Sequence, residues 1–489
     1  MMNKIKVALE EQPARSGKKL KPRVRILILA LLIIFLVLSS VLALRLIQHK
    51  PLLPAGESYY NLRMAEELKA NPIAIKDPVQ NTSYQPNPYH YLLVLMLLMF
   101  SPEIVSILTP LALGLISAII FFKLLTLLGV RYEDAAYSLI ILAVTPAFIT
   151  LFSGLYIYGF VLFISLLIIF LVIIGKKSKY TLALSSLLLL ILALASFTGF
   201  LITIALSIVI CFALKKRIVT VIIPIIPAAL ALFVLALSSI YPVALIGFQA
   251  FEFKNILSVL GADLGFDIFL IILFFIGFTL LLNRNEKSRF LHLAVLAFLI
   301  FSFFNVLARA YSSFIITAYC VAAIIYFYKR KWELDIIRTG TLILLLCSLV
   351  FSLTNQVNQL VGAQPDQNIQ DALLSLQKLD AGIVLSAENT GFIVEFYSGK
   401  QALLDKNSFL NPGYKETKQD VDQLFMTPRL REAEPVLQKY KIRYIFITPE
   451  MKDELWEGRE EGLLLLVKNS ESFVRKYDFR EIEIWEYKP

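Results

Sequence analysis

An acid placed directly after a helix-breaking triplet opens the first long polar stretch of the chain. Glu57 follows Pro54-Ala55-Gly56, and Ser58-Tyr59-Tyr60-Asn61-Leu62-Arg63-Met64-Ala65-Glu66-Glu67-Leu68 follows it. Tyr60, Met64 and Leu68 recur at helical spacing with Arg63 and Glu67 beside them. The stretch therefore predicts an amphipathic helix at a membrane interface. Glu57 stands near its N-terminus, where the helix dipole favours a carboxylate. Such a group can take a proton from a nucleophile or hold a hard cation. The plain alternative is a capping acid on a surface helix. Asp77 precedes Pro78 and is equally well read as a turn opener. Glu252, in Phe251-Glu252-Phe253, reads on its own as part of an interfacial helix surface. Arg309 ends an apolar block, where an arginine can snorkel to the interface.

The elements that must position these residues are membrane helices. Of 489 residues 58% are hydrophobic and 17% charged, too little charge for the surface of a soluble protein this long. The apolar residues come in blocks of about 20, the length that crosses a bilayer core as helix. The net charge of +10 does not point to nucleic acid, because Lys and Arg sit in short clusters between the blocks. That is the pattern of cytoplasmic loops and of contact with anionic lipids. Cys211, Cys320 and Cys347 lie in apolar blocks as small hydrophobes, and His49, His90 and His292 are too scattered for a metal cluster.

About eleven spans are expected, at 26–46, 103–126, 135–152, 156–175, 180–197, 199–214, 218–241, 267–283, 290–308, 311–328 and 339–356. Residues 1–25 form a basic cytoplasmic N-terminus, and the stretch from His49 to His90 faces outside. The gaps expected in the cytoplasm hold Lys123 and Arg131, Lys176 to Lys179, Lys215 to Arg217, Arg284 to Arg289, and Lys329 to Lys331. The short outer gaps are nearly free of Lys and Arg, so Arg309 on that side asks for a local reason. An odd number of spans leaves residues 357–489 outside. There Gly382–Leu385, Arg443–Ile447 and Glu481–Trp485 predict strands, and 430–440 predicts a helix, giving a small α/β domain.

Glu57-Ser58-Tyr59-Tyr60-Asn61-Leu62-Arg63 resembles the acid-x-Tyr-Tyr-x-x-Arg signature in the first external loop of oligosaccharyltransferase catalytic subunits, members of the GT-C class of membrane glycosyltransferases. Asp77-Pro78 and Tyr84-Gln85-Pro86-Asn87-Pro88-Tyr89-His90-Tyr91-Leu92-Leu93 resemble the end of that loop. Leu260-Gly261 through Gly265-Phe266-Asp267-Ile268-Phe269 is similar to the lead into a later helix of archaeal members. Gly391-Phe392-Ile393 through Leu404-Asp405 resembles the strand–loop stretch after the soluble-domain motif. The resemblance implies glycosyl transfer from a polyprenyl-phosphate-linked sugar to an external acceptor. Glu57 would act as base or acceptor-positioning acid, Arg309 and then Arg63 as phosphate contacts, and Glu252, Asp77 and His90 as further loop-site residues. It also implies a divalent cation, Mg or Mn, held by Glu57 and Glu252.

Two departures stand against the pattern. Ser386-Ala387-Glu388-Asn389-Thr390-Gly391 occupies the place of the acceptor-reading WWDYG motif, and only the glycine matches. Phe152-Ser153-Gly154-Leu155-Tyr156-Ile157-Tyr158 occupies the place of an Asp-x-Glu-type motif and has no acid. They favour an acceptor other than the Asn-x-Ser/Thr peptide, and they put the cation in question. They also keep a rival reading open: a degenerate scaffold protein that binds lipid or serves a partner transferase.

Overall fold

The computed structural model describes residues 22–237 and 256–488, except 75, 81, 83, 85, 175–178, 215–218, 259–261, 263, 285–288 and 412. Its helical part begins with α1 (Pro22–Ile47), α2 (Gly56–Ala70), α3 (Pro88–Leu97) and α4 (Pro102–Leu127). Next come α5 (Tyr132–Ala143), α6 (Pro146–Ser153), α7 (Ile157–Ile174), α8 (Lys179–Ala195), α9 (Phe197–Ala213) and α10 (Val219–Leu237). The last four are α11 (Ile268–Arg284), α12 (Arg289–Ser302), α13 (Val306–Lys329) and α14 (Asp335–Gly362). Five of the described helices are long and apolar enough to cross a membrane, or six if α5 and α6 count as one span. The other expected spans are shorter apolar helices.

Two expected spans are broken. The one at 135–152 bends by 69° between α5 and α6. Pro146 has no N–H to continue a helix and pushes Thr145 into extended backbone, at φ −76° and ψ 130°. The one at 290–308 ends at Ser302, and a new helix starts where the Asn305 side chain accepts from the Ala308 N–H at 3.0 Å. Arg309 therefore belongs to the first turn of the following span. The expected outer loop also gains a short apolar helix, α3, ahead of the span at 103–126. At the far end α14 runs through residue 357 to Gly362.

One buried side chain ties the ends of α1 and α14 together. Arg45 is fully buried. Its Nη1 donates to the carbonyls of Leu360 (2.9 Å) and Ala363 (2.8 Å), Nη2 to Pro365 (2.9 Å), and Nε to Pro51 (2.7 Å). A cation at a helix C-terminus satisfies orphan carbonyls and complements the dipole. The Ala55 N–H adds a bond to the Gln364 carbonyl at 3.0 Å, which fixes the chain just ahead of Glu57.

The C-terminal domain contains α15 (Gln367–Gln377), β1 (Ile383–Leu385), α16 (Gly391–Ser398), α17 (Tyr414–Met426) and α18 (Leu430–Lys439). It continues with β2 (Ile442–Ile447), α19 (Pro449–Trp456), α20 (Gly462–Asn469), β3 (Phe473–Phe479) and β4 (Ile482–Tyr487). The sheet order is β1-β2-β4-β3, with β1 parallel to β2 and the other pairs antiparallel. Alternating residues of β2 serve two cores. Tyr444 and Phe446 join the core shared with α15, α16 and the membrane helices, while Ile445 and Ile447 face α17 to α20. The stretch after Gly391, expected as strand then loop, is the helix α16. Its apolar residues pack on α15 on one side and on α2 on the other, and helical spacing alone lets a short run serve both.

Candidate functional site

The site grows from α2. It was expected as an interfacial amphipathic helix, but it is enclosed on most sides, with Ser58, Tyr59, Asn61, Leu62, Arg63, Met64, Ala65 and Leu68 buried. Three neighbours enclose it. From α3, His90 Nε2 meets Asn61 Oδ1 at 2.9 Å, and its Nδ1 meets the Tyr84 hydroxyl at 2.7 Å. Asn61 Nδ2 donates to the Leu155 carbonyl at 2.7 Å, so Asn61 Oδ1 must accept. His90 then carries its proton on Nε2, accepts from Tyr84 on Nδ1, and is neutral.

The loop between α6 and α7 covers a second side. The Leu155 N–H donates to Ser58 Oγ at 3.1 Å, and the Tyr156 hydroxyl donates to the Pro54 carbonyl at 3.2 Å. Only a glycine fits at 154, because a Cβ there would lie 2.7 Å from Ser58 Oγ and 2.8 Å from the Tyr156 ring. Ser58 is itself held by two hydrogen bonds and has nowhere to go. Gly154→Ala is therefore expected to cost about 1–3 kcal/mol by overpacking. Thermal denaturation checks this, and an unchanged melting temperature would contradict it.

Helix α16 covers the third side. Tyr60 stacks on Phe392 with ring centroids 4.8 Å apart, and Tyr59 contacts Phe396 (5.0 Å) and Tyr397 (5.4 Å). A Cβ at Gly56 would lie 3.3 Å from the Asn389 carbonyl and 3.4 Å from Phe392 Cβ. The stretch 386–391 thus abuts the residue before Glu57. Glu388 in that stretch accepts from the Tyr414 hydroxyl at 3.0 Å and pairs with Lys418 at 3.4 Å.

Glu57 lies half-buried at the meeting point of these three neighbours, within electrostatic reach of the Tyr89 and Tyr158 phenols. Where the resemblance implies a second acidic motif stand Tyr156, whose hydroxyl donates to the Pro54 carbonyl, and Tyr158, within electrostatic reach of Glu57. Glu252 lies outside the described residues. Among the described residues no three His, Cys, Asp or Glu side chains stand together as a metal site. The described donors around Glu57 do not fit a hard cation, which takes several oxygen ligands with charge among them.

Arg309 is buried on a different helix. Tyr158 is coupled to Glu57, and Val161 meets Gly199, which also faces Leu307 of α13. Below them Tyr311 shares hydrogen bonds with Ser165 and Thr203, locking α7, α9 and α13 in register.

Arg63 and Asp77 have a different occupation from the expected one. Arg63 Nη1 and Nη2 grip Asp77 at 2.7 and 2.8 Å, and Nη2 also reaches Glu395 of α16 at 2.9 Å. Both terminal nitrogens are thus engaged within the protein, while its Nε is buried without a hydrogen-bond partner. Burial alone would raise the Asp77 carboxyl, but the Arg63 fork and two backbone N–H groups hold it below its ordinary range. Burial pushes the Glu395 carboxyl up to about 8 despite Arg63. Gln80 donates to Glu395, to the Ala402 carbonyl (3.0 Å) and to Asp405 (3.2 Å). Sequence reasoning passed over Glu395, Gln80 and Arg45. The available signal was a charge inside an apolar run, as in Phe392-Ile393-Val394-Glu395-Phe396 and Leu44-Arg45-Leu46.

No protein-family model matches the sequence, and no curated protein matches it. Solved structures do match. The chain is similar to the Archaeoglobus fulgidus oligosaccharyltransferase tethered to an acceptor peptide containing the NVT sequon, with a TM-score of 0.62 and 13% identity over 96% of this chain and 74% of that one. It is similar to archaeal AglB from the same organism in complex with an inhibitory peptide and a dolichol-phosphate, with a TM-score of 0.60 and 13% identity over 94% and 74%. ArnT from Cupriavidus metallidurans in the apo state gives a TM-score of 0.52 and 10% identity over 95% and 97%. All three are GT-C glycosyltransferases, and this chain has their membrane-helical fold with a small C-terminal α/β region.

Proposed function

We propose that this chain is a multi-pass membrane glycosyltransferase that moves a sugar from a polyprenyl-phosphate-linked donor to an acceptor at the external face. Its N-terminus would be cytoplasmic and its C-terminal domain external. In the transfer, an acceptor nucleophile attacks the anomeric carbon and the bond from that carbon to the phosphate oxygen breaks. Glu57 takes the proton from the nucleophile or holds it in place. Arg309 stabilises the charge on the departing lipid phosphate. Arg63 is not assigned that part, since Asp77 and Glu395 already hold it. The Mg or Mn ion implied by the resemblance would rest on Glu57 alone among the described residues, so no step is routed through it.

The observation that carries this reading is the place of Glu57. It stands where the first loop, the mouth of α7 and the stretch 386–391 of the C-terminal domain come together. The lipid phosphate bound in the AglB complex supports a donor of the same chemistry. Full-length protein in detergent, given lipid-linked sugars extracted from membranes, is expected to release sugar from the lipid. Failure to do so with every extract would contradict the reading. The phenols of Tyr156 and Tyr158, standing where a second acid is expected, favour the rival reading of a lipid-binding or partner subunit. In that case the donor lipid binds and no sugar leaves it.

The acceptor is expected to differ from a sequon peptide. Reading a Thr hydroxyl needs placed polar groups, and a site built for one rejects its absence strongly. Glu388 is already engaged by Tyr414 and Lys418. Titration with Asn-x-Thr and Asn-x-Val peptides should show no difference in affinity. A loss of tight binding on the Thr-to-Val change would contradict this expectation.

A further inference from the structure

The first loop and the C-terminal domain meet in a sealed polar cluster that the proposed chemistry does not use. Arg63 comes from α2, Asp77 and Gln80 from the loop after it, Glu395 from α16, and Asp405 from the loop beyond α16. All five are at least nine-tenths buried. On its other side α16 faces apolar residues of α15, among them Ile369, Leu373 and Leu376. Among the described residues Arg63 is thus the one cation facing three carboxyl groups, those of Asp77, Glu395 and Asp405. Two counts fail if all three are ionised. The charges sum to minus two in a site without water access, and buried charge without a partner is costly. The hydrogens also fall short. The Gln80 amide has two, yet it faces the Glu395 carboxyl, the Ala402 carbonyl and the Asp405 carboxyl. One carboxyl that keeps its proton halves the net charge to minus one and supplies the missing hydrogen.

We infer that Arg63, Asp77, Gln80 and Glu395 are positioning residues, a latch that seats the C-terminal domain on α2 beside Glu57 and closes fully only while the cluster retains a proton. Glu395 is the holder of that proton, because it receives only part of one Arg63 nitrogen, whereas Asp77 takes the whole fork and Asp405 accepts from the Asn407 N–H and the Ser408 hydroxyl. Its upward shift agrees with this assignment. The linkage sign follows. Between the ordinary carboxylate range and about 8 the folded chain holds a proton that the unfolded chain has lost. Stability from this group is complete at acid pH, falls as pH rises through that window, and levels off above it.

The test compares full-length wild-type protein with Glu395→Gln, which keeps the neutral shape of the acid. Thermal denaturation is read from pH 5 to pH 9. The wild type is expected to lose melting temperature relative to Glu395→Gln up to about pH 8, after which the curves run parallel. Parallel curves throughout would overturn the latch. If Glu395→Gln does not fold, Asp405→Asn replaces it. Removing that negative neighbour should move the top of the falling window to lower pH, and an unmoved window would overturn the latch. The inference rests on the proposed transfer only for its activity arm, where the alkaline loss of kcat should vanish in Glu395→Gln with KM unchanged. A pH-dependent difference in melting without any sugar transfer would sustain the latch and sink the transfer reading.

Discussion

Glu57→Gln is expected to lower sugar transfer about 1000-fold, the middle of the range that a positioned proton acceptor supplies. The amide has the shape of the acid but cannot take a proton at neutral pH. Its neighbours are held by contacts that do not depend on its charge. Ser58 and Asn61 bind the Leu155 backbone, Tyr60 stacks on Phe392, and Gly56 lies against Asn389. The helix-dipole term contributes about 0.3–1 kcal/mol to the folding cost. Initial rates on a lipid-linked donor, read beside a melting curve, separate the two effects. Equal rates for the variant and the wild type would remove Glu57 from the chemistry.

Arg45→Ala is expected to be the most damaging single change to stability, at about 3 kcal/mol or more. The side chain is fully enclosed and donates to five carbonyls, those of Pro51, Leu360, Val361, Ala363 and Pro365. Alanine leaves those oxygens at a helix end without a donor, and each buried unsatisfied acceptor costs about 1–3 kcal/mol. Water that enters the space will recover part of the loss. The same carbonyls lie in the elbow that joins α14 to the C-terminal domain, so the change should also loosen the seat of Glu57. Arg45→Lys offers three donors on one nitrogen and should recover some of the stability but not all. A melting temperature for Arg45→Ala equal to the wild type would show that the elbow is held elsewhere.

The sequence carried the membrane class, the strands at 382–385, 443–447 and 481–485, and the chemical interest of the first loop. These signals are local, since apolar length, period-two alternation and a charged helix start can all be read within about 20 residues. What it did not carry depends on distant partners. Arg63 looked equally like a phosphate ligand and a surface ion pair, and only the approach of Glu395, more than 300 positions away, decides its occupation. Residues 391–398 are as compatible with strand as with helix on their own, and packing between α15 and α2 selects helix. The break before Pro146 was legible, because proline penalises the residue ahead of it, but a long apolar run masked it. Gly391 is the single match to the acceptor motif, and its reason is geometric. A Cβ there would lie 2.4 Å from the Leu404 carbonyl.

The central claim is that one site beside Glu57 releases sugar from a lipid phosphate. Its most direct measurement is the partition of radiolabelled sugar between lipid and water after incubation of extracted lipid-linked donor with the purified full-length protein. The account predicts that label leaves the lipid phase with the wild type and stays there with Glu57→Gln. Label that stays in the lipid with both proteins, or leaves it equally with both, would contradict the account.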